Sequence, residues 1–282
     1  MVMRMKVGLV LEGGAMRGVY TAGVLDTFLD NNIEVDTIIG VSAGALFGAN
    51  YVSKQKGRVI RYIKKYASDQ RFMGMKTLFK TGNLINKEFA YDEIPNKLDP
   101  FDYKEFDKNK IKFYATVTNI VTGDAEYHLI KNSKKQMEIL RASGSMPFVS
   151  NIVDYEGNKY LDGALSDSIP VNKMKELNVD KIVVVLTKCK GYRKKKQTKI
   201  IPKLWYKKYP KLVENINTRY LKYNKCLDEI DNDDSLFVIR PSKNFKISRI
   251  ESNPERLQEL YDLGVSDTLA LLDDLKEFIK EN

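Results

Sequence analysis

The chain has 282 residues, 43% hydrophobic and 30% charged, enough for one sizeable α/β core. Its mean hydropathy of −0.38, with no unbroken apolar run near the roughly 20 residues of a membrane helix, excludes a disordered chain and a helical membrane span. A net charge of +10 favours acidic partners (nucleic acid, anionic lipid or an acidic surface), while two cysteines, Cys189 and Cys226, exclude a disulfide framework or a metal site of their own and make a reducing, cytoplasmic setting the expectation.

Met5–Leu11 predicts a first buried strand. Its apolar stretch, Val7-Gly8-Leu9-Val10-Leu11, is halted by Glu12, short of the roughly 7–15 residues of a signal-peptide core, so no leader is expected. A Gly-rich turn, Glu12 to Gly18, leads into a helix over Val19–Leu29. Thr37–Gly40 predicts a second strand, running straight into Gly40-Val41-Ser42-Ala43-Gly44, and Ala43 to Lys54 a second helix. This β–turn–α–β–turn–α opening is how a parallel sheet begins. Arg58–Ala67 reads as another helix and Asp69–Ile85, with Gly74 and Gly82, as a loop. Phe72, Met73, Met75, Leu78 and Phe79 suit either a lid or a satellite hydrophobic cluster there. Lys110–Val117 predicts a strand that Ala125–Ile130 can pair after the turn at Thr122-Gly123-Asp124, and Ser133–Ala142 a helix. Asn151–Asp154 and Lys159–Leu161 suit a hairpin around Glu156-Gly157-Asn158. Lys181–Leu186 and Leu236–Ile239 predict further strands. Asn253 as N-cap and Pro254 at the first helical position open the C-terminal helices. With no internal repeat and no clean linker, the expectation is one domain over 1–282. It carries a basic insertion near 188–211 and C-terminal helices over 254–281.

Gly40-Val41-Ser42-Ala43-Gly44, between a strand and a helix, has the form of a nucleophile elbow. Glycines on both sides let strand and helix approach, and the turn presents the serine at a helix N-terminus whose amides favour negative charge. On its own the pentapeptide also describes an ordinary tight turn. The consecutive small residues Gly13, Gly14 and Ala15 expose backbone amides suited to a phosphate or an oxyanion. Val19-Tyr20 stand where a Walker loop needs Lys-Ser/Thr, and Ala15 stands where a dinucleotide fingerprint needs its second glycine, so an oxyanion hole is the better functional reading. A Gly-rich turn without ligand remains the alternative.

With these two segments, Asp162-Gly163-Ala164, followed by Asp167-Ser168-Ile169-Pro170-Val171, and Arg141-Ala142-Ser143-Gly144-Ser145-Met146-Pro147 resemble the motifs of the patatin-like phospholipases, in the family's order, over about residues 5 to 186. The resemblance implies a three-layer α/β/α sandwich with a mainly parallel central sheet. It also implies a Ser-Asp dyad: Ser42 as nucleophile through an acyl-enzyme, and Asp162 as the base that takes its proton and later activates water. The amides around Gly13, Gly14 and Ala15, with Arg17 and the helix-N-terminal amide of Ala43, would form the oxyanion hole. No metal or other cofactor is called for. His128, the single histidine, lies before both candidate aspartates and reads better as a plain strand residue than as part of a triad. Asp167 reads as a cap of the turn before Pro170, and Asp162 is expected in a largely apolar pocket that raises its pKa.

Lys188–Lys211 holds eleven basic residues and no acidic one, interleaved with Tyr192, Trp205, Tyr206 and Tyr209. It suits an anionic membrane surface, equally nucleic acid on composition, or simply a solvated basic loop and helix start. A lipid substrate favours the membrane and makes nucleic acid the lesser expectation; no oligomeric state follows. The readings carried forward are a hydrolase of phospholipid, lysophospholipid or related lipid acyl esters, a carboxylesterase or thioesterase on small acyl groups, and a non-catalytic binding protein on the same fold.

Overall fold

The computed structural model describes residues 4–196 and 200–280. Met1 of the leader reading, Lys199 of the basic segment and residue 281, the last of the expected C-terminal helices, lie outside the described residues.

In chain order, β1 (Val7–Leu11), α1 (Val19–Asp30), β2 (Thr37–Val41), α2 (Ala43–Val52) and α3 (Arg58–Tyr66) follow the expected opening. A short helix α4 (Met75–Thr81) and a wide helical segment over Phe89–Leu98 come next, then α5 (Tyr103–Lys108), capped by Asp102 accepting from the Glu105 amide at 2.8 Å. β3 (Lys112–Asn119), β4 (Ala125–Leu129), α6 (Met137–Ser143), β5 (Val153–Tyr155), β6 (Asn158–Asp162), α7 (Val171–Lys175) and β7 (Lys181–Val185) lead to α8 (Ile200–Trp205) and the long α9 (Pro210–Asp231). β8 (Leu236–Ile239), α10 (Pro254–Ala270) and α11 (Leu272–Phe278) close the chain.

β3, β2, β1, β7 and β8 are parallel neighbours in that order, while β4, β6 and β5 add antiparallel to one end. The sheet separates two apolar layers because successive side chains of a strand alternate in direction. Val7, Leu9, Leu11, Val183 and Val185 face the layer formed with α1, α2, α3, α6, α10 and α11. Val10, Ile182, Val184 and Leu186 face the other, formed with α7 and α9. Each fully buried aliphatic side chain contributes about 1.5–3 kcal/mol, so a one-residue slip of β1 would exchange both faces at heavy cost. The three-layer α/β/α sandwich with a mainly parallel sheet is therefore present.

One expectation needs correction. The segment expected as a loop over 69–85 contains α4, and Phe72 belongs to the main core and not to a satellite cluster. The basic segment ends in the first turn of the 22-residue α9, whose Leu212, Ile216, Tyr223, Leu227 and Ile230 are buried at helical spacing. Asn253 caps α10 as expected, accepting from the Arg256 amide at 2.9 Å. α10 lies unusually close to α1. Gly23 and Gly264 pack reciprocally, so that a Cβ on either would strike the other helix's backbone carbonyl at Tyr261 or Tyr20. Tyr20 donates to Asp267 at 3.1 Å and Tyr261 to Asp26 at 2.7 Å across the same contact.

Candidate active site

The parallel register carries β2 to Val41 opposite Thr116 of β3. β4 occupies the far edge of β3 over Tyr114–Thr118, so antiparallel β6 lies on the same edge as β2 and ends with Asp162 opposite Val117. Two strands thus run toward each other along one edge, and the residues where they stop, Ser42 and Asp162, meet. Ser42 Oγ donates to Asp162 Oδ2 at 2.8 Å.

Ser42 sits at φ 54°, ψ −123°, a conformation that costs a side-chain-bearing residue on the order of 1–3 kcal/mol. Its surroundings hold it there. The Ser42 amide donates to Ser143 Oγ at 2.9 Å, and its carbonyl accepts from the Ala45 and Leu46 amides of α2. Gly13 and Gly44 make the crossing possible: a Cβ at Gly13 would lie 2.9 Å from Ser42 Cβ, and one at Gly44 would strike the Leu11 carbonyl. The Arg141–Pro147 segment brackets the pair, since Ser143 holds Ser42 while the Ser145 carbonyl accepts from the Asp162 amide at 2.8 Å.

Asp162 is 5% exposed. Its second oxygen accepts from the Ala164 amide at 2.9 Å. Burial raises its pKa above the ordinary carboxylate range; the Arg219 charge, the Ala164 amide, the Ser42 hydroxyl and the Arg249 charge oppose that rise in part. Gly13, Gly14, Ala15 and Arg17 line the same cleft, with Ala15 at φ 51°, and among the described residues the Gly14 and Ala15 amides find no acceptor within the chain. Ala43, at the start of α2, lines the neighbouring apolar cavity. Every residue expected at the site from sequence is thus gathered around Ser42.

His128 stands apart: its Nε2 faces Glu126 at 3.1 Å and its ring packs edge-on against Tyr160. Asp167 accepts from Tyr127 OH at 2.7 Å and from the Ile169 amide at 3.2 Å, the capping role expected for it.

Two cavities meet at Ser42. One, about 130 Å³, is walled by Leu46, Phe47, Tyr62, Phe72, Met73, Tyr91, Ile94 and Leu140. The other, about 370 Å³, is the more polar of the two: among apolar side chains such as Phe148 and Ile216 it holds Glu12, Arg17, Lys188, Lys194, Arg219 and Arg249. Sequence reasoning missed Ser143's role, Glu12, Arg219 and Arg249. The helical spacing of Leu212, Ile216 and Tyr223 behind Pro210 could have revealed the helix that carries Arg219.

The family model for patatin-like phospholipase matches residues 9–174, and that for a domain of unknown function (DUF6363) matches residues 209–280. YjjU of Escherichia coli strain K12, named as uncharacterized, is 27% identical over 92% of this chain and 75% of its own length. The lysophospholipase nte1 of Aspergillus niger is 31% identical over 64% of this chain, and that of Scheffersomyces stipitis 29% over 64%; the chain corresponds to only 12% and 11% of those proteins. Among solved structures, VipD from Legionella pneumophila is similar at a TM-score of 0.48 and 13% identity, over 96% of this chain and 67% of that one. With more than half of its length matched and the family's motifs assembled around Ser42, the chain belongs to the patatin-like phospholipase family, a family of lipid acyl hydrolases.

Proposed function

We propose that the protein hydrolyses lipid acyl esters through Ser42 and Asp162. The observation that carries this is the 2.8 Å hydrogen bond from Ser42 Oγ to a buried carboxylate, at the junction of an apolar cavity and a polar cleft. The acyl chain lies in the apolar cavity. Asp162 takes the Ser42 proton as Oγ attacks the carbonyl, and returns it to the departing alcohol, leaving Ser42 acylated. Water then gives a proton to Asp162 and attacks the acyl-enzyme; the carboxylic acid leaves and Ser42 Oγ recovers the proton. The Gly14 and Ala15 amides, with those of Gly13 and Ala43 nearby, receive the oxyanion, and Arg17 adds positive charge behind them. Burial makes Asp162 a better base than an exposed aspartate, which is the chemical use of its raised pKa.

The apolar cavity favours lipid chains over the small acyl groups of a carboxylesterase. The chain works as one unit in this reading, because residues of both matched segments, Arg17 and Arg219, line the cleft. The cleft opens beside exposed Met75, Trp205 and Ile250, which suits docking on an anionic membrane. The test is hydrolysis of a chromogenic ester series, short to long chain. Ser42→Ala and Asp162→Asn should each lose on the order of 10⁴-fold or more in kcat. Equal activity in all three proteins would remove both residues from the mechanism.

A further inference from the structure

The polar cleft carries five basic side chains, Arg17, Lys188, Lys194, Arg219 and Arg249, against two carboxylates, Glu12 and Asp162. Both carboxylates are already engaged. Glu12 accepts from the Thr187 amide, the Thr187 hydroxyl and Tyr223 OH at 2.6, 3.0 and 2.7 Å, and Asp162 accepts from Ser42 and Ala164. Among the described residues none of the five cations is ion-paired. Arg17 Nε is buried with no hydrogen-bond partner, Lys188 Nζ rests 4.9 Å from the Tyr192 ring centroid, and Lys194 Nζ lies 3.9 Å from that of Tyr223. Arg17, Lys188, Lys194 and Arg219 are half-buried and Arg249 is exposed, and five cations against two carboxylates leave the cleft net positive, an arrangement that an entering anion would relieve. The cations line the second cavity that Ser42 shares with the acyl cavity, with Arg249 at the boundary of the two, and this second cavity is the space left for the alcohol half of an ester.

We propose that this cleft is an anion subsite for a phosphate monoester on the alcohol half of the substrate, so that the preferred substrate is a single-chain acyl glycerol phosphate and not an uncharged or zwitterionic acyl ester. The inference rests on the hydrolase reading for the position of the ester bond. Four of the five cations come from residues 188–249, beyond the stretch matched by the patatin-like model, so the selectivity belongs to this chain's C-terminal part. A trimethylammonium headgroup would bring a further positive charge into a cluster that is already net positive; a phosphate dianion offsets that charge and offers oxygens to several N–H donors at once. Lys194 responds to the same charge. Burial and the Arg219 and Arg249 charges hold it down to about 7, against the opposing pull of Glu12 and Asp162, with the Tyr223 ring beneath it. A bound dianion favours its charged form, so binding takes up a proton and weakens as pH rises above about 7.

The experiment uses the full chain with Ser42→Ala, so that ligands are bound and not cleaved. Calorimetric titration compares octanoyl glycerol phosphate, octanoyl glycerophosphocholine, octanoyl glycerol and inorganic phosphate. The phosphate monoester should bind at least about tenfold tighter than the other two octanoyl ligands. Adding Arg219→Gln with Lys194→Gln should erase that preference while leaving octanoyl glycerol binding, the check that the fold and the acyl cavity persist. Equal affinity for the three octanoyl ligands, or a preference that survives both substitutions, would overturn the subsite. Inorganic phosphate binding as tightly as the acyl ester would overturn it too, making the cleft a free-phosphate site. Hydrolysis is scored separately with Ser42 present. Esters cleaved without phosphate preference would sink the subsite alone. A preference in binding with no ester cleaved would sink the hydrolase reading alone.

Discussion

At Asp162, function and stability pull in opposite directions. An ionised carboxylate nearly out of reach of water is destabilising, and desolvation is the first cause of its raised pKa. A folded-state pKa above the unfolded value of about 3.9 means a contribution to stability that is fully present below that value and lost as pH rises through the folded one. Asp162→Asn should therefore be more thermostable than wild type at pH 7 while inactive, with the gain vanishing below about pH 4. Thermal unfolding across that range reads it; a variant less stable than wild type at pH 7 would show that the Ser42 and Ala164 hydrogen bonds outweigh desolvation. The same ionisation governs activity. kcat/KM should fall on acidification through a pKa above the usual aspartate range, and a profile flat down to about pH 4 would count against Asp162 as base. Ser42 was legible from the local geometry of the elbow, whereas Asp162, in an Asp-Gly turn of a common kind, was singled out only by the resemblance to the patatin-like motifs. Ser143 was visible only as part of a motif, since its task is a single hydrogen bond to an amide 101 residues away.

Among elements, the α1–α10 contact is the most demanding. Gly23 and Gly264 bring two backbones together, and a methyl added at either meets a carbonyl that no rotamer change can move. Gly264→Ala should cost about 1–3 kcal/mol, the usual penalty of overpacking. Leu269→Ala, 52% exposed on the same helix, should change stability by less than about 0.5 kcal/mol. Similar denaturation midpoints for the two variants would mean the helices can separate freely. The strands were readable because buried parallel strands are short apolar runs bounded by turns, and Leu236–Ile239 is reproduced residue for residue. α4 was not readable: Gly74 and Gly82 suggested a loop, yet they serve as its two caps, Gly82 at φ 73°. The wide helical segment over Phe89–Leu98 contains Pro95, which argues against a helix in sequence and is tolerated in place because the segment packs Phe89 and Ile94 into the core.

For the whole molecule, charge and apolar exposure coincide. The net charge is +10, no helix among the described residues is long and apolar enough to cross a membrane, and Trp205, 66% exposed, packs edge-on against Phe148 at the cleft. Peripheral docking should therefore favour anionic over neutral vesicles and weaken as salt rises from 0.05 to 0.5 M, roughly, as the Debye length shortens. Trp205→Ala should reduce binding several-fold, since an interfacial aromatic ring contributes on the order of 1 kcal/mol or more. Sedimentation with the two vesicle types measures this, and equal binding to both would rule the docking out.

The sequence by itself determined most of the strands, the elbow at Ser42 and the Gly13–Ala15 turn, because each depends on neighbours within a few residues, while the resemblance singled out Asp162. Only the tertiary structure decided that β2 and β6 converge on one edge of β3, closing a gap of 120 residues to 2.8 Å, and that Lys194, Arg219 and Arg249 gather beside them. The physical reason is one of range. Backbone geometry and apolar periodicity are written locally along the chain, whereas the meeting of lone charged side chains depends on sheet register and helix packing, which no spacing in the sequence encodes.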